Sequence, residues 1–460
     1  MIFTSTVFAA FLVVVLCAYW AIPHRRLQNG LLLGSSYVFY GWVHPWFCGL
    51  MAASTVFDWL IALAIERWPA HKRPLLVASV VANLCLLGTF KYFDFFAESV
   101  QRVMSGFGLE VTPIALHVML PVGISFYTFQ SLSYVIDVYR GDLAARRRLA
   151  DFALYVAFFP QLVAGPIERA QRLLPQIEAP RRFRAAVFTS AGPLFLRGYL
   201  KKLVVADNVA VFADQVFLLE HPPLLLLAAG TLAFAVQIYA DFSGYTDIAR
   251  GSARLLGFEL IDNFRAPFLA LSPSDYWRRW HISLSSWIRD YLYIPLGGSR
   301  VGSRGRFGVV CLATFGLSGL WHGAAWHFVA WGLFHGALLF AYHQLGMGSR
   351  WQPRGRARTL LAWCAMSAFT LAGWALFRAP SLAWLASALA APVAGLGGDA
   401  GVASALIAAF AALYALPLAL LAAGERSRAP WLSPLGAGLC LVLVLLFHRD
   451  VGQDFIYFRF

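Results

Sequence analysis

The residues best suited to chemistry fall in three stretches between Gln237 and Gly336. In FGLSGLWHGAAWHFVAWGLFHG (Phe315 to Gly336), His322 stands in strongly apolar surroundings among Gly316, Ser318, Gly319, Gly323, Ala324 and Ala325. Small residues permit close helix approach or leave space for a ligand, and an ionisable group in such a segment is a functional candidate. Histidine can take a proton from a hydroxyl near neutral pH. In SPSDYWRRWHISLSSWIRDYLYIPLGGSR (Ser272 to Arg300), His281 lies among Arg279, Trp280 and Ser285. Trp277, His281, Ser285 and Ile288 recur at i, i+4, i+8 and i+11, which predicts one shared helical face. Ser272 or Ser274 can cap that helix, with Pro273 and Asp275 helping to start it. In QIYADFSGYTDIARGSARLLGF (Gln237 to Phe258), Asp241 and Asp247 follow what reads as the end of a span, and Ser243–Gly244–Tyr245 supplies a flexible point. Such carboxylates either line a wet cavity or pair with a base. A polar surface loop with both groups solvated fits the spacing equally well.

Several other chemistries are disfavoured. On one ideal helix His322 and His327 would lie about 140° apart, and neither H-x-x-x-H nor H-E-x-x-H occurs, so no metal site is expected. His327, His335 and His343 read as packing or interface histidines. There is no G-x-S-x-G, no P-loop and no dinucleotide-binding glycine motif.

The elements that must carry these residues are membrane helices. Apolar residues make up 60% of the 460, only 13% are charged, and the mean hydropathy is +0.65. A soluble domain averages about 45–50% apolar and about 25% charged. Blocks of spanning length are Phe3–Ile22, Gly30–Phe47, Cys48–Ile65, Pro74–Phe90, Ala186–Val205, Leu224–Ala240, Phe328–Leu345, Leu360–Phe377, Val402–Leu421 and Trp431–Phe447. Weaker ones are Ile114–Ile136, Phe152–Gly165 and Phe307–Leu320. The fold class is therefore an all-α polytopic membrane protein of about 11 transmembrane helices (about 10–13), in a single domain over residues 1–460. The first block lacks a basic leader and an A-x-A site, so a retained helix is expected. The stretch Ser272–Arg300 should not span. Its Asp275, Arg278, Arg279, Arg289 and Asp290 would together cost on the order of 15 kcal/mol near the bilayer centre. An interfacial or re-entrant helix suits its Trp and Tyr content. All six cysteines lie in apolar segments and read as buried thiols.

The net charge is +14, and of 37 basic residues only Lys72, Lys91, Lys201 and Lys202 are lysines. Nucleic acid is not the implied partner, because the basic clusters sit between spans, as cytoplasmic loops do. They are Arg25–Arg26, Glu66–Arg73, Arg140–Arg148, Arg181–Arg184, Arg300–Arg306, Arg350–Arg358 and Arg426–Arg428. The first two of these loops place the N-terminus outside.

Taken together, Gln237–Phe258, Ser272–Arg300 and Leu320–Gly336 resemble the hallmark segments of the membrane-bound O-acyltransferases, in the bacterial branch of polysaccharide O-acetylation and teichoic-acid D-alanylation. Lys91–Asp94, Pro121–Arg140, Phe158–Glu168 and Phe455–Phe460 extend the resemblance, and only hydrophobicity agrees over roughly Gly346–Gly452. The closing FIYFRF departs from the usual FIYFQF at Arg459.

The resemblance implies a ring of helices around a central funnel, with re-entrant or interfacial helices. It implies His322, in Trp321–His322–Gly323, as the catalytic base, and His281 as the second catalytic histidine, orienting the acceptor or polarising the carbonyl. A covalent acyl-enzyme is the variant mechanism. Trp321, Trp277, Arg278, Arg279, Ser285, Asp241 and Tyr245 are the expected substrate-binding residues, with the arginines either holding a phosphate-bearing donor or anchoring the interface. No cofactor is permanently bound; acetyl-CoA or an acyl carrier protein is the expected donor on the cytoplasmic side. A periplasmic acyltransferase partner, membrane lipid and a bacterial inner-membrane location with a periplasmic N-terminus complete the expectation. The reaction is acyl transfer, acetyl first and D-alanyl second, to an extracytoplasmic polymer. Two other classes stay open on the residues: a transporter or flippase using Asp241, Asp247 and His322 as an ion relay, and a non-enzymatic scaffold.

Overall fold

A computed structural model of the chain describes residues 1–109, 112, 114–163, 165–349, 351–391, 398–427, 434–447 and 455. Arg350, Arg428, Trp431 and, beyond Phe455, the closing residues with Arg459 lie outside them. Every regular element among the described residues is helical. Five helices there are long and apolar enough to cross a membrane: Trp46–Arg67, Pro69–Gly106, Leu224–Leu255, Arg356–Arg378 and Gly398–Leu421. Thr6–Ala21 and Ala437–Phe447 are shorter and apolar. The chain divides into two compact units, Met1–Ala191 with Ala249–Ile261, and Gly192–Ile248 with Asp262–Phe460.

The first unit contains α1 (Thr6–Ala21), α2 (Arg25–Tyr40), α3 (Trp46–Arg67), α4 (Lys72–Leu87), α5 (Phe93–Gly106), α6 (Ile124–Arg140), α7 (Leu149–Ala157), α8 (Phe159–Leu162) and α9 (Ala170–Glu178). Ser5 caps α1 by accepting from Phe8 N at 3.1 Å. The Gly30–Phe47 block is not one helix: α2 ends at Tyr40, and α3 starts after Pro45. The weaker block from Ile114 is helical only from Ile124, and the Phe152 block breaks at Phe158. Buried polar groups pair across helices, as they must where water is absent. Asp58 of α3 accepts from Ser79 Oγ at 2.6 Å and Asn83 Nδ2 at 3.0 Å, both on α4. Tyr19 OH donates to Leu256 O at 3.0 Å.

The basic loops of this unit gather at one end. Ala145 N donates to Glu66, Lys72 lies over the Tyr139 ring at 5.2 Å, and Arg146 pairs with Glu178 at 2.6 Å.

Between and beyond come α10 (Ala186–Tyr199), a wide π turn (Leu200–Ala206), α11 (Asp207–Phe217), α12 (Leu224–Leu255), α13 (Pro273–Trp277), α14 (Ile282–Ile288), α15 (Arg304–His322), α16 (Trp326–Gln344), α17 (Arg356–Arg378), α18 (Leu382–Ala390), α19 (Gly398–Ser427) and α20 (Pro434–Phe447). The α15–α16 pair is an antiparallel hairpin closed by Gly323–Ala325. A Cβ on Gly319 would lie 2.1 Å from Phe328 O, one on Gly332 2.1 Å from Phe315 O, and one on Gly336 2.9 Å from Cys311 O. Each step forward along α15 matches a step back along α16. Glycine lets the two backbones touch.

The cysteines depart from the buried-thiol reading. Cys311 is buried, but Cys17, Cys85 and Cys364 sit on helix surfaces. An apolar block does not say which face turns toward protein and which toward lipid.

Candidate active site

His322 is the last residue of α15, and the next helix begins at Trp326. His327 therefore belongs to a different helix from His322, and the angle expected for one continuous helix does not apply. The break comes from Gly323, whose extended backbone passes so close to Phe328 that a Cβ would sit 2.2 Å from the ring. His322 is 5% exposed. Its ring packs against Trp321 at 5.0 Å, Trp331 at 5.0 Å and Phe377 at 5.4 Å.

The shared helical face expected for Trp277, His281, Ser285 and Ile288 does not form. Ser272 caps α13, accepting from Asp275 N at 3.2 Å, with Pro273 at the first helical position as expected. The helix then ends at Trp277. His281 sits at φ +41°, a left-handed conformation that a bulky residue rarely adopts. The strain is held by a buried strap: Ile282 N donates to Asn263 O at 3.0 Å, and Ser283 N to Asn263 Oδ1 at 3.2 Å. Arg265 N donates to Arg279 O at 3.0 Å on the other side. Such an overdetermined outlier is where function is sought. Both α13 and α14 are far too short to cross a bilayer, consistent with a non-spanning stretch.

His281 is 1% exposed, with Phe242 edge-on at 4.7 Å and Trp321 at 6.3 Å. Burial disfavours the charged form of this ring and holds its pKa well below the usual histidine range. The two histidines, 41 residues apart in sequence, thus share one neighbour, Trp321.

Trp277 joins the same cluster through Trp331, at 5.8 Å. Trp277 and Trp331 each bury an indole N–H without a protein acceptor among the described residues. Buried donors of this kind call for a partner. Trp331 and Phe377 carry no functional signal in the sequence, because an aromatic at helical spacing reads as core. Asn263 carries none either, because it lies in a polar linker with no motif.

The remaining expected site residues are engaged otherwise. Asp275 pairs with Arg279 at 3.0 Å and Arg278 at 3.5 Å, and Arg278 also donates to Ser349 O at 2.6 Å. Ser285 Oγ donates to Trp280 O at 2.9 Å. Asp241 and Asp247 are not in a surface loop: α12 runs through both and through Ser243–Gly244–Tyr245. Lys202 bridges Asp241 at 2.9 Å and Asp207 at 2.8 Å, while Lys201 pairs with Asp247 at 2.8 Å. Buried carboxylates are tolerated in an apolar helix when cations meet them. Gly244 permits this approach, since a Cβ would lie 2.8 Å from Gly198 O. Tyr245 is buried against Phe455 at 4.3 Å and lies beneath Lys202.

A sequence profile described as MBOAT, membrane-bound O-acyltransferase family, matches residues 144–367, a range that includes both histidines. Among curated relatives, a probable alginate O-acetylase AlgI of Azotobacter vinelandii is 42% identical over 397 residues, covering 84% of this chain and 77% of the relative. A peptidoglycan O-acetyltransferase of Helicobacter pylori is 35% identical, covering 76% and 71% respectively. A teichoic acid D-alanyltransferase of Bacillus subtilis is 26% identical, covering 56% and 68%.

Proposed function

Because the chain belongs to the membrane-bound O-acyltransferase family, we propose that it moves an acetyl group from a cytoplasmic thioester toward hydroxyls of an extracytoplasmic polysaccharide, with His322 as the base. The chain is a multi-pass, all-α membrane enzyme, an O-acyltransferase. The observation that carries the residue assignment is the shared Trp321 contact of two buried histidines, one ending a helix and one on a strained, strapped backbone.

In this reading the acceptor oxygen attacks the thioester carbonyl while His322 takes its proton. The new C–O bond forms, the C–S bond breaks, and the thiolate leaves and recovers the proton. At the carboxyl end of α15 the helix dipole favours the positive charge that His322 acquires. His281, neutral and fixed, orients the acceptor or polarises the carbonyl; the indole N–H groups of Trp277 and Trp331 are further donors for the carbonyl oxygen. Arg278 and Arg279 serve as interface anchors, since Asp275 already holds both.

The acetyl group and an alginate-type polymer are favoured over D-alanine by the fall in identity from 42% to 26% between the relatives. Acetyl-CoA or an acyl carrier protein is the donor, and a periplasmic acyltransferase is the partner that completes delivery. The inner membrane is the location, with the N-terminus periplasmic. The gathering of Arg146–Arg148, Glu66 and Lys72 at one end of the first unit supports a common cytoplasmic side. A cysteine at Arg147, whose side chain is 83% exposed, should label only after the inner membrane is permeabilised; periplasmic labelling would reverse the orientation.

Purified protein given an acetyl thioester should release free thiol, faster with an acceptor hydroxyl present. A transporter or a scaffold would release none.

A further inference from the structure

At the end of the first unit where the basic loops gather is a pocket of about 270 Å³ lined by Arg25, Arg146, Arg147, Arg148, Asp151 and Glu178. Four guanidinium groups face two carboxylates there. Arg146 pairs with Glu178 at 2.6 Å and Arg148 with Asp151 at 3.5 Å. Among the described residues Arg147 pairs with Glu66 alone, at 3.9 Å, with most of its side chain in solvent. Arg25 makes no ion pair among the described residues. Asp151 is itself committed on its far side, accepting from Asn29 Nδ2 at 2.9 Å. The lining therefore carries excess positive charge that its own carboxylates do not meet.

The backbone adds to it. Arg25 is the first residue of α2 and Arg148 is the N-cap of α7, and neither helix start is closed by a side-chain hydrogen bond. The amino ends of two helices thus border the pocket, α7 with Asp151 in its first turn; the first N–H groups of a helix have no partner within it and carry the positive end of its dipole. Arginine forks and helix amino ends are both matched to phosphate oxygens.

We infer that this pocket is a binding site for a phosphate group, held by Arg25 with Arg147 and Arg148. The group belongs either to a phospholipid headgroup or to a soluble phosphate-bearing molecule such as a coenzyme, since both present the same oxygens. The site stands on the lining residues alone and does not depend on the role given to His322.

The test uses the full-length protein in nanodiscs of phosphatidylcholine, with two probes. Labelled coenzyme A is bound from solution and competed with inorganic phosphate; dioleoyl phosphatidic acid is doped into the bilayer and its retention read by native mass spectrometry. Arg25→Gln is expected to weaken one probe roughly tenfold or more, the loss of a charge-assisted hydrogen bond. Arg102→Gln, at an exposed pair with Glu98, should leave both unchanged. Loss of coenzyme A binding that phosphate also displaces identifies a soluble phosphate; loss of phosphatidic acid retention identifies a headgroup. If neither probe binds the parent, or both bind parent and Arg25→Gln alike, there is no phosphate site and the inference is overturned.

Discussion

Gly319 and Phe328 meet backbone to backbone: a single added Cβ at Gly319 would stand 2.1 Å from the Phe328 carbonyl oxygen. Nothing flexible lies at that contact, so Gly319→Ala must push α15 and α16 apart just one turn before His322. Overpacking of this kind costs about 1–3 kcal/mol, and more where only backbone can yield. Gly319→Ala should lower both the thermal unfolding temperature in detergent and the acylation rate. Gly316→Ala, whose Cβ would meet Leu333 at an ordinary 3.4 Å, should keep both. Equal tolerance of the two would mean that the hairpin is looser than its glycines imply.

The Lys202 ammonium serves two carboxylates, Asp207 and Asp241, and is 1% exposed. Removing one member of a buried ionic group costs about 3–5 kcal/mol, because the charges left behind lose their partner. Lys202→Met should therefore reduce the folded protein recovered from membranes severalfold. Lys202→Met combined with Asp241→Asn and Asp207→Asn should recover part of that loss. A single variant as stable as the parent would mean that the network contributes little.

Asn263 acts on His281 through the backbone of the following residues. Losing its Oδ1 leaves Ser283 N–H buried without that acceptor, at about 1–3 kcal/mol. Asn263→Ala should lower kcat about tenfold to a hundredfold with donor KM little changed, while Asn263→Asp, which keeps an acceptor oxygen, should retain more activity. A fall in folded protein without a fall in kcat would limit Asn263 to a structural role.

Much of this was legible beforehand, and the misses have physical causes. Composition and block length were enough for an all-helical membrane protein, since few sequences bury so much apolar surface in water. The W-H-G and R-W-H histidines stood out because ionisable groups are rare in such surroundings. Periodicity failed at His281, where Asn263, eighteen residues earlier, forces a left-handed turn that spacing cannot reveal. Asp241 and Asp247 were ambiguous for a related reason. Their cations, Lys202 and Lys201, lie some forty residues away in sequence, and a charge in an apolar run looks like the end of a span until its partner is located.

The central claim is that His322 is the base and His281 its partner. The measurement is acetyl transfer by purified protein at matched folded amounts, for His322→Ala, His281→Ala and His327→Ala. A positioned base contributes about 10²–10⁴-fold, so His322→Ala should lose about that much, or roughly 3–5 kcal/mol in barrier. His281→Ala should lose less, as a lost contact to the transition state costs at most about 3–4 kcal/mol. His327, on α16 and packed against Phe328, should be replaceable with most of the activity intact. Near-parental transfer by His322→Ala, with activity lost in His327→Ala, would contradict the account and move the catalytic centre onto α16.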